Sequence, residues 1–74
     1  MAKYNELLNR ARNHEQAAIA RRQAAAWALT RGKMAEARIH EQAANEHEQT
    51  AAVLYDEAAL ETRPYASRKE ARRG

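Results

Sequence analysis

All three histidines of this chain sit in one repeated motif. His14-Glu15-Gln16-Ala17-Ala18 recurs as His40-Glu41-Gln42-Ala43-Ala44, with a looser copy at His47-Glu48-Gln49-Thr50-Ala51-Ala52. Imidazoles beside carboxylates can bind a metal or exchange protons. The spacing limits both. His40 and His47 are seven residues apart and share a helix face. They are nevertheless separated by about 10 Å along the axis, too far to hold one ion together. If the chain folds back on itself, His14 comes near the level of His47, which makes that pair the better candidate. The Glu-x-x-His spacing of di-iron bundles is missing, because Ala11, Ala37 and Ala44 stand three residues before the histidines. The helical His-Glu-x-x-His zinc motif is absent too. No metal and no cofactor is expected.

Other catalytic chemistry has little material. Ser67 is the only serine, cysteine is absent, and the only glycines are Gly32 and Gly74. No thiolate site, disulfide or glycine-rich phosphate loop follows. An enzyme also needs a concave pocket, which a slim helical chain does not easily form. The reading is therefore non-enzymatic.

Charge is sorted along the chain. Residues 1–33 carry Lys3, Arg10, Arg12, Arg21, Arg22, Arg31 and Lys33 against Glu6 and Glu15, a balance of +5. Residues 34–62 carry Glu36, Glu41, Glu46, Glu48, Asp56, Glu57 and Glu61 against Arg38, a balance of −6. Residues 63–74 carry Arg63, Arg68, Lys69, Arg72 and Arg73 against Glu70, a balance of +4. Gly32 marks the first switch and Pro64 follows the second. Two oppositely charged segments joined at a glycine predict two helices folded back on each other.

Helix formers dominate residues 5–30, with Asn5 as the expected N-cap and Glu6 in the first turn. Gly32 is free to take the left-handed conformation that ends a helix. A second helix is expected over 33–62, because Arg63 precedes a proline and is biased away from helix. Ser67-Arg68-Lys69-Glu70 is a capping-box pattern, so residues 67–73 form a short helix or remain a tail. The expected organisation is an all-α antiparallel hairpin over 1–62 with a basic segment over 63–74. About Gly32, Arg22 falls level with Glu41 and Leu8 with Tyr55.

The core is thin. The chain has 19 alanines and no phenylalanine in 74 residues. Trp27, Leu29, Met34 and Tyr4 or Tyr55 are assigned to the core rather than to a ligand site. A chain this short with so few large apolar side chains normally needs a partner. The expected remedy is a homodimer forming a four-helix bundle. Its interface is assigned to Leu8, Ala11, Ala18, Ala25 and Leu29 on the first helix. Ala37, His40, Ala44, His47, Ala51, Leu54 and Ala58 complete it on the second. Burial of His40 and His47 there would weaken the dimer between about pH 7 and pH 5.

The segment Leu29-Thr-Arg-Gly32-Lys-Met-Ala-Glu-Ala37-Arg-Ile-His-Glu-Gln-Ala-Ala44 resembles the helix-to-helix turn of a tetratricopeptide-like hairpin. Gly32, Ala37 and Ala44 match its small positions, over about a fifth of the chain. The resemblance implies a helical hairpin used for binding.

The favoured function is a small non-catalytic interaction module (adaptor, inhibitor or regulator) that binds itself and another protein. The alternative is a nucleic-acid-binding regulator. It would use Arg10, Arg12, Arg21 and Arg22 on the first helix, with Arg63, Arg68, Lys69, Arg72 and Arg73 beyond the second. No apolar run approaches the roughly 20 residues that span a membrane, and the first residues lack the apolar stretch of a secretory signal. The expected location is the cytoplasm.

Overall fold

The hairpin turns on one glycine. Gly32 has φ +74°, in the left-handed region that glycine enters without a Cβ penalty. Its N–H donates to the Leu29 carbonyl at 3.0 Å, and the Lys33 N–H donates to the Ala28 carbonyl at 2.8 Å. This pair of bonds is a Schellman ending, which satisfies carbonyls that the helix leaves open. The next helix starts at once, with the Ala37 N–H donating to the Lys33 carbonyl at 3.1 Å.

A computed structural model describes residues 2–62 as two antiparallel α-helices, α1 over Ala2–Thr30 and α2 over Met34–Thr62. Each has 29 residues and so extends about 43 Å. The expected third helix over 67–73, the stop at Arg63-Pro64 and every contact assigned to Arg63, Arg68, Lys69, Arg72 and Arg73 lie outside the described residues. The boundaries differ from expectation at the first end. α1 begins at Ala2, so Asn5 is an interior residue and not a cap. Nothing in Ala2-Lys3-Tyr4 breaks a helix, and the good helix formers there extend it.

The core is a seam of methyl groups. Ala11, Ala18 and Ala25 of α1 and Ala37, Ala44, Ala51 and Ala58 of α2 are all buried, none above 4% exposed. Leu7 and Ala28 complete the buried set among the described residues. The alanines recur every seven residues, the repeat that keeps one stripe of a helix against its neighbour. A methyl at each contact favours axes toward the near end of the usual 8–10 Å range.

Large side chains are pushed outward. Trp27, Leu29 and Met34, expected in the core, are 65%, 48% and 58% exposed. Trp27 stands two residues past the buried Ala25, on the far side of α1, and Leu29 and Met34 flank the turn, where the helices end. Leu8, placed on the seam by its spacing, is half-buried, while its neighbour Leu7 is the leucine that enters.

The turn gives a direct prediction. A methyl added at Gly32 would meet nothing within 4 Å, so any cost is conformational. Gly32→Ala should lower stability by about 1–2 kcal/mol, and Gly32→Asn by less, because asparagine tolerates the left-handed region. Denaturant unfolding of both variants checks this; equal losses would assign the effect to something other than φ.

Candidate interaction surface

Beside the alanine seam run two flanks, set by residues three and four positions along from the buried alanines. Residues 14 and 21 lie on one side of α1, and residues 15 and 22 on the other. Each flank bridges to α2 with polar contacts.

The histidine flank pairs His14 with His47, Nδ1 to Nδ1, at 2.9 Å. The rings are tilted at 37°, with centroids 5.1 Å apart. This contact takes one N–H and one lone pair, so the two rings share a single hydrogen. Two turns away, Arg21 bonds His40 Nδ1 at 3.0 Å. All three histidines are half-buried within the hairpin itself. His40 and His47, assigned from the sequence to a dimer contact, are each bonded within one chain. Among the described residues no group of three His, Asp or Glu side chains is placed to hold a metal ion.

The tyrosine flank is tied by charge. Arg22 donates through both terminal nitrogens to Glu48, at 2.8 and 2.7 Å, and also to the Asn45 side-chain oxygen at 3.0 Å. The two-pronged geometry matches the planar guanidinium to a carboxylate. Hydrogen bonding to Arg22 holds the Glu48 carboxyl below its ordinary value, and the Glu48 partner raises Arg22. Tyr55 donates its hydroxyl to Glu15 at 2.6 Å. That bond pushes the phenol upward, with burial and the Glu15 charge adding to it and Arg12 opposing. Ile19 and Ala52 lie between these pairs and line a shallow groove with them. A second groove nearer the turn is lined by Leu29, Met34, Arg38 and Glu41.

The expected site residues are placed as follows. The seven seam alanines lie between α1 and α2 of one chain, joined by half-buried Leu8, His40, His47 and Leu54, while Leu29 is exposed. The four arginines of α1 do not make one strip. Arg21 joins the histidine flank, and Arg22 the tyrosine flank, with Arg12 near enough to Tyr55 to act on its phenol. Arg10 lies one turn before His14. Folding about Gly32 levels Arg22 with Glu41, and the structure bonds it to Glu48, seven residues on. Tyr55, levelled with Leu8 by folding about Gly32, bonds instead to Glu15, seven residues on. Arg31 stacks on Trp27, its guanidinium carbon 5.0 Å from the ring centroid, and so shields part of an exposed indole.

No family model, no curated protein and no solved structure matches this chain. No described helix is long and apolar enough to cross a membrane.

Two pH dependences follow. Glu48 is held low by the fold, so its contribution is present above the unfolded carboxylate value of about 4.3 and fades as pH falls through the lower folded one. Tyr55 is held high, so its contribution is present below about pH 10 and is lost as pH rises through the higher folded value. The stability gap between wild type and Tyr55→Phe should be constant at neutral pH and close above about pH 10. The gap to Glu48→Gln should close on the acid side. Chemical unfolding across pH checks both; a Tyr55→Phe gap unchanged at high pH would deny the bond to Glu15.

Proposed function

We propose that this chain is a non-catalytic helical interaction protein of the cytoplasm that acts as a homodimer, two hairpins forming a four-helix bundle. One observation carries the reading. Ile19, Trp27, Leu29, Met34, Ile39, Val53 and Leu60 are 48–66% exposed, while among the described residues the core holds only alanines and Leu7. Burying an alanine contributes about one methyl group's worth, near 0.8 kcal/mol. The larger apolar area remains available to an assembly, and small chains commonly gain stability that way.

The grooves favour contact over catalysis. They are shallow, and the Arg22–Glu48 and Tyr55–Glu15 contacts beside them connect α1 to α2. Nucleic acid is less favoured, because α2 carries seven acids against one base and Arg22 is already engaged by Glu48. The location rests on composition, a chain without cysteine.

Since the alanine seam is occupied within each hairpin, the second copy meets a different surface. Sedimentation equilibrium at micromolar concentration should give a dimer, and the melting temperature should rise with protein concentration. A monomer with a concentration-independent melt would overturn the proposal.

A further inference from the structure

We infer that the two copies meet on the tyrosine flanks with both turns at the same end, so that α1 of each hairpin lies over α2 of its partner. This rests on the homodimer reading and specifies its face and its symmetry axis.

The face follows from direction. A hairpin that packs on a hairpin must cover two helices at once, so the contact side chains must leave both helices on one side. At about 100° per residue, Ile19 stands a quarter-turn from the buried Ala18, on the side of Arg22, Glu15 and Tyr55. Met34 and Ala52 stand in the same sense on α2, and Leu8 and Leu29 extend the patch along α1. Within it Arg22 pairs with Glu48 and Glu15 accepts from the Tyr55 hydroxyl, and Arg38 and Glu41 line its end nearer the turn. Trp27, Ile39, Val53 and Leu60 each stand two residues past a buried alanine, about 200° round their helices. Those on α1 and those on α2 face away from each other, and one partner hairpin cannot cover both sides, so the face rests on Ile19, Leu29 and Met34. The opposite flank presents His14, Arg21, His40 and His47, a polar surface already used within the chain.

Charge selects the axis. Within the described helices α1 carries Lys3, Arg10, Arg12, Arg21 and Arg22 against Glu6 and Glu15, a balance of +3. α2 carries seven acids against Arg38, a balance of −6. A two-fold axis along the bundle sets α1 over the partner's α2, unlike on unlike twice. An axis across the bundle sets α1 on α1 and α2 on α2, like on like twice. Like-charged juxtaposition opposes association, and complementary potentials steer it. All neighbouring helices are then antiparallel.

A nitroxide placed at Thr30→Cys tests the arrangement, since the chain has no other cysteine. With turns at the same end, pulsed electron paramagnetic resonance should give a label separation below about 30 Å. With turns at opposite ends it should exceed about 40 Å, the helix length. Sedimentation of the same sample separates the two failures. A dimer with the long distance overturns this arrangement and leaves the homodimer reading standing, whereas a monomer overturns both. For the face, Ile19→Glu should weaken the dimer at least tenfold while Val53→Glu leaves it unchanged. Both positions are half or more exposed, so helicity by circular dichroism should match wild type. Loss of the dimer with Val53→Glu and not with Ile19→Glu would overturn the face.

Discussion

The contact on which this hairpin depends is alanine against alanine. Seven buried methyls, spaced by sevens on both helices, set how closely α1 and α2 approach. That spacing decides what else can reach across. With the axes near, an imidazole meets an imidazole, a guanidinium closes on a carboxylate and a phenol reaches Glu15. The flanking contacts therefore follow from the seam. They fix which residues stand opposite one another, and their exposed ion pair adds little energy of its own.

The same constraint accounts for the surface. A seam that accepts only methyls, plus Leu7 near one end, turns the other large apolar groups outward or sideways. Ile19 and Met34 are the clearest cases, each flanking the seam yet at least half exposed. A hairpin built this way has order without much buried area.

Much of this is legible in the residues alone. Gly32 announces the turn, because only a residue without a Cβ takes φ +74° freely. The charge reversal across it gives the antiparallel pairing, and the alanine repeat gives the buried stripe. Other features depend on distances that a sequence does not carry. Leu7 and Leu8 both fit a helical stripe, and only the angle at which the helices pack makes Leu7 the buried one. Arg22 lies between acids two turns apart on α2, and it bonds Glu48, with Asn45 accepting from the same guanidinium. The start of α1 is missed because Asn5 is a good cap that the chain does not use, with three residues before it able to remain helical.

The most direct test is to put the same larger side chain on and off the seam. Ala18 is 2% exposed, and Ala20, two residues on, faces solvent. Leucine and alanine both favour helix, so propensity changes little between the variants. Ala18→Leu should destabilise the protein by about 1–3 kcal/mol through overpacking, and Ala20→Leu should be near neutral, by thermal or denaturant unfolding at matched concentration. If Ala18→Leu melts with or above wild type, the seam has room for a larger residue, and close alanine contact is not what organises the hairpin.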